Sequence, residues 1–398
     1  MRILTRWTTA RRLALALVPL AAVALSFSRG VDPERCAPAP CPAEAASARG
    51  RRLRWSAGSE SLAASLPHLE EALRREPSAP ARWCDLGEAY AASTLEERAA
   101  TCFRAAVRWG PAASLTLLRA AQHFLSVERP DEALPLLGRV LDHTQAYNEQ
   151  AFSLLDRSGI GVAAALAVAI PPQPVPLRIY YRHILVERPE DADTAFAWIR
   201  DAGLLDADLA SDHVSGMLAR RRFSEAGSAW RDWAGSAEPP EELLFNPGFE
   251  RELRGGPLAW IVRSHEHAGV SRDSVSAAGH SSLRVDFDGR ANPNYEHVLQ
   301  RAIVEPGAHR ISAAMRARRV TSEGLRLRVL DAEDATRLDL RSQPLVGDVD
   351  WRRFERRFVV DPQTRLIEVR LERFASPRAG ARLGGTVWLD DFALRRLP

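Results

Sequence analysis

Arginine carries most of the chemistry this sequence offers. It has 54 basic residues against 51 acidic ones, and not one of the basic residues is a lysine. Every cation is therefore a planar fork, suited to pairing bidentately with carboxylates, phosphates or uronates. Arg316, Arg318, Arg326 and Arg328 have the parity to share one sheet face. There they could receive an acidic polysaccharide, or pair across strands with Glu368 and Glu372. Catalytic constellations are scarce. No G-x-S-x-G, Walker loop or H-E-x-x-H occurs. His265-Glu266-His267 lacks the third ligand a metal needs. A glycosidase requires two carboxylates held apart in a cleft, and no domain is left over to build one. The expectation is a protein that is not an enzyme. A formal charge of +3 gives no footprint for nucleic acid.

The elements that must position these side chains fall into segments. Arg2, Arg6, Arg11 and Arg12 precede an apolar run from Leu13 to Phe27. Charge followed by a short apolar stretch marks residues 1–30 as a signal peptide or an uncleaved anchor. The arginines then stay cytoplasmic and the remainder is exported. The expected location is the periplasmic or cell-surface side of a bacterial inner membrane, reached by secretion or by anchoring. Export into an oxidising compartment favours a small disulfide loop between Cys36 and Cys41. Residues 31–56, rich in Pro, Ala and Arg without periodicity, are expected to form a flexible linker.

Residues 57–236 show helical spacing of leucine and alanine. Trp83, Leu86, Gly87 and Tyr90, then Ala99, Phe103, Ala106 and Pro111, reproduce the 34-residue tetratricopeptide pattern. One period later stand Leu117, Ala120, Ala121, Phe124, Ala133, Leu137 and Val140. One period earlier stand Ser65, Leu69, Ala72 and Pro77. Small residues at Gly87 and Ala99 let paired helices cross closely, with the aromatics filling the space around the crossing. Ala226, Trp230 and Trp233, preceded by a helix near Leu209 to Leu218, are expected to close the array as an atypical repeat. First helices line the groove of such solenoids, which puts Glu88, Leu118, Gln122 and Leu125 against a peptide or partner helix. Cys84 and Cys102 sit at matching levels on two helices, as a disulfide or as buried thiols.

Beyond Pro239-Pro240 the texture changes to period-two alternation, as in Ser282–Phe287, Leu325–Val329 and Ile367–Leu371. That alternation predicts an antiparallel sandwich over 241–398. Asn246-Pro247-Gly248-Phe249-Glu250, Trp260, the run Ala278 to Val285, Pro306-Gly307, Trp351 and the closing Val387-Trp388-Leu389-Asp390-Asp391-Phe392 follow in order. In these motifs the segment resembles the jelly-roll carbohydrate-binding modules of the family four and nine type. The resemblance implies a structural calcium held by Glu250, Asp390 and Asp391. It also implies sugar stacking on aromatic faces, for which Tyr295 and Trp388 are the candidates, beside Arg316, Arg326 and Arg328. The family's usual aromatic is missing near Ala314. The expected architecture is thus an α-solenoid followed by an antiparallel jelly-roll β-sandwich. The expected role is a non-catalytic exported adaptor: the solenoid binds a protein, and the sandwich binds a glycan in exopolysaccharide or cell-surface assembly. The rival is a purely protein–protein scaffold with a structural sandwich.

Overall fold

The computed structural model describes residues 43–55, 59–235 and 238–398. The expected signal or anchor segment and the Cys36–Cys41 pair lie outside these residues. No described helix is long and apolar enough to cross a membrane. The chain divides into two compact units, one ending at Asp201 and the other beginning at Ala202.

The first unit is built of helix pairs. Helices α1 (Ala43–Trp55) and α2 (Ser59–Arg75), α3 (Pro80–Ala92) and α4 (Glu96–Trp109), and α5 (Ser114–Ser126) and α6 (Pro130–His143) pack pairwise. Helices α7 (Asn148–Arg157), α8 (Val162–Val168), α9 (Pro174–Glu187) and α10 (Ala192–Asp201) complete the unit. Gly87 has its expected place at the α3–α4 crossing. A Cβ there would lie 3.0 Å from Phe103 Cε2 and 3.2 Å from Cys102 Cβ, so no larger residue fits without displacing both. Ala99, Ala106, Ala120 and Ala121 are fully buried at the same kind of contact.

The expected linker over 31–56 is corrected in part, because Ala43–Trp55 is helix and is the first helix of the earliest repeat. It buries Ala43, Ala45, Ala46 and Ser47 rather than leucines. Its hold on α3 is ionic. Arg51 reaches Asp85 at 2.6 Å, 34 residues on, and Arg119, another 34 residues on, reaches Asp85 at 2.8 Å from the opposite side. A helix that packs through alanine and arginine has no apolar stripe for periodicity to detect.

The second unit contains helices α11 (Ala207–Ala219) and α12 (Phe223–Ala234) together with every strand. The expected solenoid limit at 236 therefore moves back to the Asp201/Ala202 division. The reason is packing: Val214, Met217, Phe223, Ala226 and Trp230 bury against Leu258, Ala259 and Leu366 of the sandwich segment.

The strands are β1 (Ile261–Val262), β2 (Ala268–Asp273), β3 (Ser282–Asp288), β4 (Tyr295–Ile303), β5 (Gly307–Asp331), β6 (Asp339–Arg341), β7 (Leu345–Val360), β8 (Leu366–Arg373) and β9 (Gly384–Arg396). All pairings are antiparallel, and the result is a jelly-roll sandwich of two ladders. One ladder runs β1-β4-β8-β5-β6, the other β7-β5-β9-β3-β2, so β5 belongs to both. Its first half pairs with β9 up to Arg318, and its second half pairs with β8 from Arg326. Between them Arg319, Ser322 and Gly324 take positive φ, and a Cβ on Gly324 would lie 2.0 Å from the Leu345 carbonyl oxygen. The bend depends on that glycine. Inward side chains from both ladders, among them Leu283, Val285, Ile311, Met315, Leu327, Val369 and Leu389, form one core.

Candidate functional site

The aromatics expected to stack on sugar do not form a platform. Tyr295 is wholly buried, with its ring 5.0 Å from Phe287 and 4.9 Å from His297. The loop before it is pinned: Asn292 Oδ1 accepts from Arg373 Nη2 at 2.6 Å and from the Ser376 amide at 2.9 Å, and Asn294 Oδ1 accepts from the Ala375 amide at 2.7 Å. These bonds turn the Tyr295 side chain inward. Burial pushes its phenol well above the ordinary range. Trp388 does point outward from β9, but it is only 9% exposed. Its indole N–H donates to Asp273 at 2.9 Å, while Arg284 and Arg316 stand 5.8 Å and 5.5 Å from its ring. The hydrogen bond holds the Asp273 carboxyl below its usual value. Both guanidiniums already cover the indole.

The expected common face for Arg316, Arg318, Arg326 and Arg328 is also corrected. Parity along β5 is as expected, but the strand changes ladders between Arg318 and Arg326. Arg316 and Arg318 therefore belong to one layer and Arg326 and Arg328 to the other. Arg328 donates to Asp339 at 2.8 Å and to Glu372 at 2.7 Å, and Arg370 reaches Glu296, Glu368 and Glu372 at 3.0 to 3.4 Å. Arg326 stands opposite Glu372 in the register. This face is a lattice of ion pairs, the second of the two arrangements the sequence allows.

Glu250, Asp390 and Asp391 face donors rather than an oxygen cage. Glu250 Oε1 accepts the amides of His280 and Ser281 at 2.8 and 3.2 Å. Asp390 Oδ2 accepts those of Ala277 and Ala278 at 2.7 and 3.0 Å, and its Oδ1 accepts that of Asp391 at 2.7 Å. The Asp391 carboxylate pairs with Arg353. Burial raises the Asp390 carboxyl even so, the amides opposing the rise. No three His, Cys, Asp or Glu side chains converge on a metal site among the described residues. A calcium ion would have to displace these amides, so the arrangement does not fit one. The carboxylates themselves staple the β2–β3 loop to the segment 250 and to β9.

Aromatic and guanidinium groups do meet elsewhere in the second unit. A cleft of about 460 Å³ lies between the end of α12 and the segment leading into the sandwich. Trp230, Trp233 and Phe245 form its apolar side, and Arg251, Arg254, Arg272, Glu250 and Glu252 its polar side. The indoles are 5.3 Å apart, and Phe245 meets Trp230 edge-on at 5.9 Å. Gly256 makes room for Trp230, whose ring would lie 2.2 Å from a Cβ there. Arg251 stacks 4.3 Å above Phe245 and donates to the Gly235 carbonyl at 3.0 Å at the end of α12. Arg272 donates to the carbonyls of Phe249 and Glu250 and to Ser281 Oγ, each at 2.8 Å. Arg254 is exposed and has no side-chain partner among the described residues. One rigid wall, two anchored guanidiniums and one free guanidinium can bind an anion carried on a flat or ring-shaped body. The Glu250 carboxylate is turned to the β2–β3 loop, where it accepts the His280 and Ser281 amides. No signal in the sequence joins residues from 230 to 272, because the cleft arises only when α12 packs on the sandwich segment. The Trp230/Trp233 spacing was legible, but as a repeat helix.

In the first unit the four expected groove residues separate. Glu88 is taken by Arg54 and by Arg119 at 2.6 Å. Leu118 is buried, Leu125 half-buried and Gln122 exposed. Cys84 and Cys102 are free and buried, with thiols pushed up by burial to about 12 and about 11. Such thiols stay protonated and inert at neutral pH.

No protein-family model matches the chain, and no curated protein resembles it in sequence. Among solved structures, the module TmCBM61, in complex with β-1,4-galactotriose, is 20% identical with a TM-score of 0.28, covering 39% of this chain and 99% of that one. The CBM22-1 xylan-binding domain from Paenibacillus barcinonensis Xyn10C is 16% identical with a TM-score of 0.26, covering 37% and 90%. MamA, from residue 41 to its end, of Desulfovibrio magneticus RS-1 is 23% identical with a TM-score of 0.27, covering 40% and 92%. Likenesses of this strength carry no argument about ligand or activity.

Proposed function

We propose that this chain is a non-catalytic adaptor whose sandwich unit binds an acidic saccharide in the Trp233 cleft while its helical repeats hold a protein partner. One observation carries the glycan half: Trp230, Trp233 and Phe245 stand beside Arg254, whose charge is free to meet a carboxylate. Half-buried Trp233, backed by the buried Trp230, offers the ring that suits the apolar face of a pyranose. Export, with action at the cell surface in exopolysaccharide or envelope assembly, rests on the charged and apolar segment at residues 2–27. On the repeats, exposed Gln122 and half-buried Leu125 remain for a peptide. Titration of trigalacturonate into the full chain, followed by calorimetry, tests the glycan half. Trp233→Ala and Arg254→Ala should each weaken binding about tenfold, the order expected for one stacked ring or one charged hydrogen bond. Equal affinity for a neutral trisaccharide would remove the role given to Arg254.

A second reading is favoured by Tyr295 and Trp388, since neither presents a free ring. In that reading the sandwich is structural and the chain is a protein scaffold throughout. It prevails if no oligouronate binds and the Trp233→Ala protein still captures the partner of the parent chain.

A further inference from the structure

Three arginines stand abreast on the outer side of the ladder that contains β7, β5 and β9. The register sets Arg310 of β5 opposite Arg357 of β7 and opposite Arg395 of β9. Their neighbours Ile311, Phe358 and Leu394 point into the core, so all three arginines point out. Adjacent strands lie about 4.8 Å apart, and like charges placed directly opposite destabilise a sheet. Compensation is thin. Glu355 lies 4.0 Å from Arg310 and Glu242 lies 3.6 Å from Arg395, both at or near the limit of an ion pair. Arg357 has no side-chain partner among the described residues, and neither has Arg352 further along β7.

Strand β7 pairs only with β5 among the described residues, and charge on a free edge guards against aggregation. That need explains Arg352 and Arg357. It does not explain why the row continues onto β5 and β9, which are interior strands. Beside the row, Ser312, Ala314 and Ala393 form a low floor, bridged by Arg353 where it reaches Ser312 Oγ at 3.0 Å and Asp391. On β7 the floor ends at Glu355, opposite Ser312, and at Arg353, opposite Ala314.

We propose that this row docks a linear polyuronate, whose carboxylates on the side facing the sheet pair with the guanidiniums. Each carboxylate that such a chain turns toward this face meets a guanidinium able to bind it bidentately, because adjacent strands set the three arginines only about 4.8 Å apart. The net charge of +3 supplies no wider field for a denser polyanion such as nucleic acid. The proposal extends the acidic-glycan reading to a second surface, but no residue of the row lines the cleft.

Affinity electrophoresis of the full chain in native gels containing polygalacturonate, with hydroxyethyl cellulose as the neutral control, tests it. The Arg310→Gln/Arg357→Gln protein should lose about tenfold in apparent affinity. Its Tm should be unchanged or higher, because like-charge repulsion has been relieved. Trp233→Ala should keep retardation by the polymer even as it loses trigalacturonate, which separates failure of the row from failure of the cleft. Equal retardation of the parent and Arg310→Gln/Arg357→Gln proteins overturns the proposal. So does binding to phosphatidylglycerol vesicles without binding to polygalacturonate.

Discussion

The helical unit encloses the arginines of its ladder, whereas the sandwich unit encloses some of its arginines and leaves a row of others open. In the helical unit Arg119 is almost wholly enclosed between Asp85 and Glu88, and Arg51 closes the other side of Asp85. The positions 51, 85 and 119 repeat every 34 residues, so the charges alternate from one repeat to the next along the first helices. In the sandwich unit arginine takes both forms, as an enclosed ion-pair lattice around the fully buried Glu372 and as an open, thinly paired row through Arg310. The contrast shows what burial does to a guanidinium. Enclosed with its carboxylates it fixes the stacking of repeats, and exposed beside its own kind it keeps a charge that the chain's own carboxylates neutralise only thinly.

The largest expected effect breaks the enclosed half. Asp85→Ala leaves Arg51 without its carboxylate and Arg119 with Glu88 alone, and losing one partner of a buried pair costs about 3–5 kcal/mol. Urea denaturation followed by helix circular dichroism should show it, and a loss below about 1 kcal/mol would mean that the ladder is solvated. The same carboxyl has a pH signature. Burial alone would raise its pKa, but Arg119, Arg51 and the Ser47 hydroxyl together hold it lower than usual. A depressed folded pKa means stability that is present above the unfolded value, about 3.9, and lost as pH falls through the folded one. The parent protein should therefore lose stability below about pH 4 more steeply than Asp85→Asn does.

Next comes the crossing that the ladder holds in place. Gly87→Val must push Phe103 and Cys102 aside, and overpacking of this kind costs about 1–3 kcal/mol in thermal unfolding. A smaller effect is expected in the lattice. Arg328→Gln removes the closest partner of the fully buried Glu372, but Arg370 and Arg341 remain within 3.2 and 3.6 Å, so the loss should stay at about 1–2 kcal/mol, below that of a buried carboxylate left alone. A cost like that of Asp85→Ala would show that Arg370 and Arg341 do not compensate for the lost guanidinium. The smallest effect concerns the staple at Glu250 and Asp390. With amides already filling these oxygens, millimolar calcium or EDTA should leave Tm unchanged, and a clear rise with calcium would show an ion replacing the amides.

The sequence revealed elements more readily than partners. Trp83, Gly87, Ala99 and Phe103 announced the repeat because a crossing of helices demands small and large residues at fixed steps. The alternation in β3, β5 and β8 announced the sandwich for a similar reason. Helix α1 was hidden because its buried face is alanine, serine and the aliphatic stem of Arg51, which together look like a tether. Arg316 and Arg328 were misassigned to one face because parity tells which side of a strand a residue takes, while the sheet it joins depends on the bend at 319–324. Tyr295, in an Asn-Pro-Asn loop, had the local look of an exposed residue. Its burial is imposed from 80 residues away by Arg373 and Ser376. The cleft was beyond sequence reasoning for the same cause: Trp233 and Arg254 become neighbours only through tertiary packing.

Because a single strand, β5, serves both ladders, neither layer of the sandwich can come apart while the other survives. Opening at β8 strips the far half of β5, and opening at β9 strips the near half. Amide exchange should accordingly find one cooperative unit with its slowest protons on that strand, not two sheets melting in turn. Tension taken up on one layer is therefore shared through the backbone with the other.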